Sequence, residues 1–243
     1  MEILAIIPAR AGSKGLPGKN LKDLGGYPLI AWTIQAVKKS RYVTDSCFTT
    51  EDEEIARVAK RFGANVPFLR PKELAEDSTS SLAVLLHALL EMERLKEKRY
   101  DIVVYLQPTS PFRDSEVIDR AIEILLNDDR LTSVVGVKSA GDSHPFWDLK
   151  ERDGILYYYI EDLPFPRPMR RQDLPPAYHF NGAIAVSRRD YYVQAKDPMP
   201  TFGQPFGPVV MDSIQSVNID REEDLLLARA LLQVYPEIRE RFW

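Results

Sequence analysis

A basic, glycine-rich segment follows the first apolar run of the chain, and its residue types suit a polyanionic ligand. The segment Pro8–Asn20 holds three glycines and three cations: Gly12, Gly15, Gly18, Arg10, Lys14 and Lys19. Glycine lets backbone N–H groups approach an anion closely, and arginine and lysine neutralise charge that grows on a departing phosphate group. The spacing differs from a Walker A loop, because Asn20 and not Ser or Thr follows Lys19. The segment therefore predicts a nucleotide-binding loop, with a solvated loop as the alternative.

Two further polar segments stand where a ligand could bind. After the apolar run Ile102–Leu106, two prolines fix the path of the chain, and Gln107 carries an amide that both donates and accepts hydrogen bonds. Such an amide suits a base edge, a ribose or a sugar hydroxyl, whereas a plain proline-terminated strand exit is the alternative. The run Asp77–Ser81 precedes a long apolar helix, where Ser and Asp are the usual N-cap residues.

The elements that must position these segments alternate between short aliphatic runs and longer stretches of helical period. The predicted strands and helices are Ile3–Pro8, Leu29–Lys39, Ser46–Thr50, Glu53–Phe62, Val66–Leu69, Leu82–Leu95, Ile102–Leu106, Val117–Leu126 and Ser133–Val137. This alternation predicts an α/β fold, a mostly parallel sheet with helices on both faces. Ligands of such sheets bind beyond the carboxyl ends of the strands, so we expect chemistry in the loops after Pro8, Leu69 and Leu106.

The alternation stops near residue 140. The segment Gly141–Tyr178 is rich in proline and carries three consecutive tyrosines, which predicts an irregular excursion or short hairpin. It is either a surface loop or an arm for oligomerisation or substrate covering. Strands at Ala183–Val186 and Pro208–Met211 and an amphipathic helix at Glu222–Gln233 then resume the core. We therefore divide the chain into a core, residues 1–140 and 179–243, and an arm, residues 141–178.

Composition narrows the class of protein. A chain of 243 residues with 44% hydrophobic residues suits one compact domain with a small appendage. A net charge of -4 argues against a nucleic-acid-binding surface. Cys47 is the single cysteine, which favours a reducing, cytoplasmic compartment, and no apolar run reaches the length of a membrane span.

The segment from Ile6 to Ile34 closely resembles the amino-terminal signature of the acylneuraminate cytidylyltransferases, the CMP-sialic acid synthetases and their legionaminic and pseudaminic acid relatives. The matching residues are Pro8-Ala9-Arg10, Gly12-Ser13-Lys14-Gly15, Lys19-Asn20 and Pro28-Leu29-Ile30, and Leu106–Arg113 resembles the second signature of that family. The resemblance implies a Rossmann-like nucleotidyltransferase sheet with a small dimerisation arm. It also implies transfer of CMP from CTP to an acidic nine-carbon sugar, with release of pyrophosphate.

The resemblance assigns roles in nucleotide binding to several residues. In that family the loop wraps the triphosphate, which implies nucleotide contacts for Arg10, Gly12, Ser13, Lys14, Lys19 and Asn20. Arg10 and Lys19 are expected to be catalytic, with Lys19 the best candidate for stabilising charge in the transition state. Ser81 is expected to contact cytidine, and Gln107 to lie between the nucleotide and the sugar acid.

A carboxylate on the sugar needs a cation, and a guanidinium group matches it best. Resemblance to the family places the sugar site near Arg171, Gln172, Tyr178 and Asn181, in a region that pairs two subunits of a homodimer. Counting along the chain does not decide between Arg170 and Arg171, and we choose Arg171. A surface charge pair is the competing interpretation.

The family carries a short acidic motif near its carboxyl end, commonly Asp-Ile-Asp, which implies a Mg²⁺ site. Here the matching residues are Asn218-Ile219-Asp220, so the first carboxylate is missing. We expect Asp220 to bind Mg²⁺ and assign it to the catalytic set, with Asn218 as a neutral oxygen ligand and Asp212 as a possible substitute. The alternative for Asp220 is the N-cap of the next helix. No residue in these motifs is a convincing general base.

Two other functions compete with this prediction. One is another sugar nucleotidyltransferase, in particular one that acts on the eight-carbon acid 3-deoxy-manno-octulosonate. The other is a CTP-binding regulator without catalysis, suggested by the missing carboxylate at Asn218. Base preference, sugar preference and turnover in excess Mg²⁺ separate the three.

Overall fold

The structure, a computed structural model, describes residues 1–163, 166–195 and 200–242, with only the backbone of Phe242. Its helices are α1 (Leu29–Lys39), α2 (Glu53–Arg61), α3 (Ser81–Lys96), α4 (Ser115–Asn127), α5 (Arg189–Gln194), α6 (Glu222–Val234) and α7 (Glu237–Phe242). Its strands are β1 (Ile3–Pro8), β2 (Asp23–Leu24), β3 (Tyr27–Pro28), β4 (Asp45–Thr49), β5 (Ile102–Leu106), β6 (Ser133–Ser139), β7 (Leu149–Arg152), β8 (Ile155–Tyr158), β9 (Tyr178–Arg188) and β10 (Phe206–Val210). No helix in these ranges has the length and apolar composition that crossing a membrane requires.

Six strands form the central sheet, in the order β10-β6-β9-β5-β1-β4. The pairs β1–β4, β1–β5 and β6–β10 are parallel, and β9 runs antiparallel to both of its neighbours, β5 and β6. Helices cover both faces, because alternate side chains of a strand point in opposite directions. Ile3, Ala5 and Ile7 of β1 pack in the cluster that includes α1, α2 and α4, whereas Leu4 and Ile6 pack against α3. The predicted α/β fold is confirmed.

The predicted strand Val66–Leu69 is wrong. The chain crosses the end of β4 there with two isolated backbone bonds, from Phe48 N to Asn65 O (2.8 Å) and from Arg70 N to Thr50 O (2.8 Å). Pro67 has no N–H to donate, so a ladder could not continue through the run. The segment is a connection that leads Arg70 towards the carboxyl end of β1.

Residues 141–178 contain the antiparallel hairpin β7–β8 and several loops. His144 Nε2 lies 3.0 Å from Pro175 O, and the guanidinium of Arg167 lies 3.9 Å from the centre of the Tyr158 ring. The first contact joins the two ends of the excursion, and the second packs its middle part against the hairpin. The hairpin leaves large apolar side chains exposed, namely Leu149, Ile155, Leu156, Tyr157 and Tyr159. The assignment of this excursion as a dimerisation arm stays a prediction.

Candidate active site

A cavity of ≈ 400 Å³ opens where β1 and β5 end. The predicted site residues that line it are Arg10, Ser13, Lys14, Lys19, Asn20, Gln107 and Asp220. These residues come from three distant parts of the sequence, and the parallel pairing of β1 with β5 brings the first two parts together. The location agrees with the expectation that ligands bind beyond the carboxyl ends of parallel strands.

The loop after β1 is folded back on itself by hydrogen bonds. Asn20, which is 5% exposed, donates from Nδ2 to the carbonyl of Arg10 at 2.8 Å, and Lys19 N donates to Leu16 O at 3.1 Å. Gly18 adopts φ 64°, in the left-handed region that glycine enters without strain, and a single 3₁₀ turn begins at Lys19. The loop is thus a fixed frame that presents its cations to one cavity.

Gly15 is the point at which this loop touches the segment that carries Asp220. A Cβ atom on Gly15 would lie 2.6 Å from the carbonyl oxygen of Asp220, closer than side chains are ever found. Glycine is therefore required at this position by close approach. The segment that carries Asp220 thus lies against the loop, and its carboxylate contacts Lys19.

Each of the three cations in the loop is paired with a carboxylate at the cavity. Asp77 contacts Arg10 Nη1 at 2.9 Å and Lys14 Nζ at 2.7 Å, while Asp220 contacts Lys19 Nζ at 2.8 Å. Hydrogen bonding from Lys14, with the charges of Lys14 and Arg10, holds the pKa of Asp77 below its ordinary value. Burial raises the pKa of Asp220, but the combined effect of Lys19 and Asn218 outweighs it, so that pKa is also lowered. Both carboxylates are ionised at neutral pH, and a polyanion must compete with them.

A second cavity of ≈ 260 Å³ lies beside the first and shares Arg10 and Tyr105 with it. Ser81 lines this cavity, and the N-cap of α3 is its neighbour Ser80, whose Oγ accepts a hydrogen bond from Ala83 N at 3.1 Å. The Ser81 side chain is therefore not used to cap α3. The hydroxyl of Tyr105 contacts both Ser81 and Gln107, and burial raises its pKa, so it is neutral. Tyr105 forms the wall between the two cavities.

Arg70 and Tyr105 are cavity residues that the sequence analysis missed. Arg70 is 4% exposed, lines the second cavity and donates from Nη2 to Glu51 Oε2 at 2.6 Å. Its Nε is buried and has no hydrogen-bond partner among the described residues. A signal for Arg70 was available, because it directly follows an apolar run after which a ligand was expected. Tyr105 gave no such signal, because it lies inside a predicted strand.

Comparison with known proteins places the chain in a family. A family model described as cytidylyltransferase matches residues 4–199 of the chain. The chain belongs to this cytidylyltransferase family. The resemblance inferred from its motifs is thereby confirmed.

Individual proteins similar to this chain support its assignment to the family. The chain is 36% identical to CMP-N,N'-diacetyllegionaminic acid synthase of Legionella pneumophila, over 98% of the chain and 99% of that protein. It is 34% identical to N-acylneuraminate cytidylyltransferase of Escherichia coli over 96% of the chain, which spans 52% of that longer protein. The solved structure of CMP:2-keto-3-deoxy-manno-octonic acid synthetase complexed with CTP matches with a TM-score of 0.67 at 20% identity, over 96% of this chain and 99% of the other. This structural match supports the nucleotidyltransferase fold.

In this cytidylyltransferase, Asp220 and Asn218 are the predicted metal ligands. Helix α6 is capped at Arg221 and not at Asp220, and the carboxylate of Asp224 accepts the backbone N–H groups of Asp220 (2.9 Å) and Arg221 (2.8 Å). The Asp220 side chain is therefore available to the cavity, where Asn218 donates an amide hydrogen bond to it. Asp212 lines neither cavity; it accepts from Gln215 N at 2.7 Å.

The carboxylate of Asp220 at the first cavity fits a Mg²⁺ site with few protein ligands. Within residues 1–163, 166–195 and 200–242, no cluster of three or more Asp, Glu, His or Cys side chains is placed to hold a metal ion. Mg²⁺ in nucleotide sites is commonly held by one or two carboxylates, with phosphates and water as the remaining ligands. Asp220 fits that arrangement, whereas Asn218, whose Nδ2 donates to Asp220, would have to turn its amide to offer an oxygen ligand. Lys19, whose Nζ contacts the Asp220 carboxylate at 2.8 Å, must then share that carboxylate with the metal ion or move away from it.

Gln107 lines the first cavity, whereas the other four residues predicted to bind the sugar line neither of these two cavities. Arg171 contacts Asp142 at 3.4 Å and Arg170 donates from Nε to Asp173 at 2.7 Å, both at the surface. Gln172 and Tyr178 are also exposed. Asn181 uses its amide inside the fold, accepting from Ala183 N and donating to Ser216 Oγ, each at 3.1 Å. The assignment of these four residues to the sugar stays a prediction.

A buried arginine supports the loop that carries Gln107. Arg113, which is 0% exposed, donates from Nη1 to Ala183 O at 2.6 Å and to Gln107 O at 3.2 Å, and from Nη2 to Thr33 Oγ1 at 2.9 Å. Burial lowers the pKa of Arg113 to about 9, which leaves the side chain charged at neutral pH. The arginine of the second signature is therefore a support for the loop.

Proposed function

We propose that the protein transfers CMP from CTP to an acidic nine-carbon sugar of the nonulosonic class and releases pyrophosphate. One observation carries the proposal: in a chain of the cytidylyltransferase family, Arg10, Lys14 and Lys19 converge on a single cavity at the carboxyl ends of β1 and β5. Three cations at one place match the charge of a triphosphate. The names of the relatives support an acidic sugar as the acceptor.

The triphosphate is proposed to replace Asp77 as the partner of Arg10 and Lys14. Both cations then hold phosphate oxygens, and the glycine-rich backbone between them closes around the chain of phosphates. Lys19, whose side chain is only 14% exposed, lies deeper in the cavity. Its charge opposes the negative charge that grows on pyrophosphate as the bond to the α-phosphorus breaks, and such electrostatic stabilisation is a large part of phosphoryl-transfer catalysis.

The cytidine is proposed to occupy the second cavity. Arg70 supplies buried N–H donors there, and Ser81 and Tyr105 supply hydroxyl groups. Buried donors suit the oxygen and ring-nitrogen acceptors of a pyrimidine base. A ligand without such acceptors would leave the donors unpaired, which costs binding free energy and so disfavours that ligand. Gln107, on the other side of Tyr105, is proposed to contact the sugar acid and to aim its C2 hydroxyl at the α-phosphorus.

Magnesium is the proposed cofactor, and Asp220 with Asn218 would hold it at the edge of the first cavity. A bound Mg²⁺ ion neutralises negative charge on the triphosphate. Asp220 orients Lys19 as well, because the two side chains are in contact at 2.8 Å. Loss of Asp220 therefore removes both the ligand and the partner that fixes the position of Lys19.

The sugar carboxylate is proposed to bind Arg171 of a partner subunit in a homodimer. The exposed apolar side chains of the hairpin β7–β8 support an interface there, since exposed apolar patches often mark protein contacts. A guanidinium delivered across such an interface could meet a carboxylate bound near Gln107. The free and buried thiol of Cys47 agrees with the cytoplasm as the compartment.

The test is product formation by the purified protein. CTP, Mg²⁺ and a panel of acidic sugars that includes legionaminic, pseudaminic, N-acetylneuraminic and 3-deoxy-manno-octulosonic acids are supplied one at a time. Pyrophosphate release is followed, and the product mass is checked for the CMP adduct. The proposal predicts an adduct with a nine-carbon acid. Turnover of the eight-carbon acid alone, or CTP binding without any turnover, would contradict it.

A further inference from the structure

A buried polar contact joins two segments that each carry a cavity residue. Gln215 donates from Nε2 to Asp114 Oδ2 at 3.1 Å, and both residues are 5% exposed. Asp114 is also the N-cap of α4, where Oδ1 accepts from Val117 N at 2.9 Å. Arg241 of α7 donates to the same Asp114 Oδ2 from Nε at 3.1 Å. A buried carboxylate with these partners is fully engaged, so the contact has one favoured geometry.

The other end of the Gln215 side chain fixes its own turn. Gln215 Oε1 accepts from Asp212 N at 3.2 Å, and Gln215 N donates to Asp212 Oδ1 at 2.7 Å. The amide group of Gln215 therefore has a partner on its donor and on its acceptor side. The pair of contacts is specific to an amide, because a carboxylate at position 215 could still accept from Asp212 N but would face the carboxylate of Asp114.

The two segments joined by this contact lead directly to the first cavity. Asp114 ends the loop that begins at Gln107, and Gln215 lies a few residues before Asp220. Between these points the segments touch once more through the backbone, where Ile219 N donates to Thr109 O at 2.8 Å. We therefore expect a shift of the turn at Gln215 to move Asp220 and its contact with Lys19.

We propose that Gln215 is a positioning residue of the active site, which acts through Asp114 to set Asp220 against Lys19 and Gln107. Gln215 itself lines neither cavity, so its influence on a bound ligand is indirect. The catalytic consequence rests on the proposed function, since it needs Asp220 and Lys19 to serve the transfer. The structural consequence does not. A displacement of about 1 Å in a catalytic group can lower a rate about a hundredfold, so the contact matters although it is remote.

The first experiment measures, without any substrate, how readily the turn at Gln215 opens. Gln215→Leu keeps the size of the side chain and removes its donor and acceptor. Hydrogen–deuterium exchange at the amide of Ile219, a fully buried residue, is expected to become at least about tenfold faster, since opening the turn exposes this N–H. Asp119→Asn is the control. Asp119 is a buried carboxylate on α4, the helix that Asp114 caps, and it contacts Ser40 and Arg41 away from both cavities.

The second experiment exchanges the two partners. Asp114→Asn and Gln215→Glu are each expected to lower kcat by about tenfold to a hundredfold with less than about threefold change in KM for CTP. The double variant places an amide at 114 and a carboxylate at 215, so the hydrogen bond can form again in the reverse direction, provided that Arg241 transfers its contact from position 114 to the new carboxylate. We expect it to recover most of the lost kcat and the slow exchange at Ile219, as coupled partners do in a double-mutant cycle.

Several outcomes would overturn the inference. Unchanged exchange at Ile219 in Gln215→Leu would show that the turn is held without this contact, and additive losses in the double variant would show that the two residues act separately. If the unaltered protein forms no CMP adduct, the proposed function fails. The exchange measurements still decide whether Gln215 holds the turn that leads to Asp220.

Discussion

The cation-rich loop after β1 and the arginine-rich segment around residue 171 differ in where their charges are held. In the loop after β1, the cations contact carboxylates that themselves border the cavity, Asp77 and Asp220. In the segment around residue 171, the arginines contact acidic residues of the same excursion, at the surface and away from both cavities. One chain thus brings together the residues proposed for the nucleotide, whereas Arg171, proposed for the sugar carboxylate, lies away from both cavities of the same chain.

The largest effect is expected in the nucleotide half. Lys19→Ala should lower kcat by about 10²–10³-fold, because the charge that opposes the leaving pyrophosphate is lost. The KM for the sugar acid should change much less. Steady-state kinetics with both substrates varied checks this, with Lys22→Ala as the control in the same segment. Equal losses in kcat and in sugar affinity would reassign Lys19 to ground-state binding.

A glycine tests how closely the loop must approach Asp220. Gly15→Ala is expected to lower kcat by about tenfold to a hundredfold, because its Cβ would lie 2.6 Å from Asp220 O and must push the two segments apart. Gly12→Ala is expected to cost clearly less, since nothing lies within 4 Å of a Cβ there. Similar losses in both variants would show that close approach at Gly15 is not what matters.

The sugar half is tested by Arg171→Ala. We expect the KM for the sugar acid to rise about tenfold through loss of a charged hydrogen bond, with the KM for CTP unchanged. A smaller rise is expected for Arg170→Ala.

Mixing variants tests whether the arm serves a second chain. When Lys19→Ala protein is mixed with an equal amount of Arg171→Ala protein and assayed well below the KM for the sugar acid, random dimers should recover about a quarter of wild-type activity, because half of them are mixed and hold one intact site. No recovery would place both halves of the site in one chain.

The smallest effect is expected at Asp77, which competes with the triphosphate for Arg10 and Lys14. Asp77→Asn should tighten CTP binding by about two- to fivefold, the range of exposed ion pairs, in a calorimetric titration at low salt. The pKa of Asp77 is lowered in the fold, so its stabilising contribution is present above the ordinary carboxyl pKa and is lost as pH falls through the lowered value. Weaker CTP binding by the variant would show that Asp77 assists the nucleotide.

Much of the architecture follows from local patterns, and the departures have physical causes. The run Ile102–Leu106 is a strand with the predicted bounds, because a short apolar run between polar turns has few alternatives. The run Val66–Leu69 has similar composition, but Pro67 removes a donor and the chain crosses the strand end. Strand β9 begins at Tyr178, earlier than predicted, because its first residues pair with β6 beyond a register shift.

The candidate site was predictable where a motif is contiguous and not where distant residues meet. The loop from Arg10 to Asn20 could be recognised from composition and family resemblance alone. The burial of Arg70, the shared wall at Tyr105 and the pairing of Asp77 with two cations each depend on segments separated by tens of residues. No local pattern of the sequence encodes such distances, and Gln215 was missed for the same reason.

The most direct measurement of the central claim is a crystal structure of the protein with CTP bound and no sugar. The account predicts triphosphate oxygens within hydrogen-bond distance of Arg10, Lys14 and Lys19, with the carboxylate of Asp77 displaced from its two cations. Nucleotide density away from these side chains, or a triphosphate bound while Asp77 keeps both contacts, would contradict it.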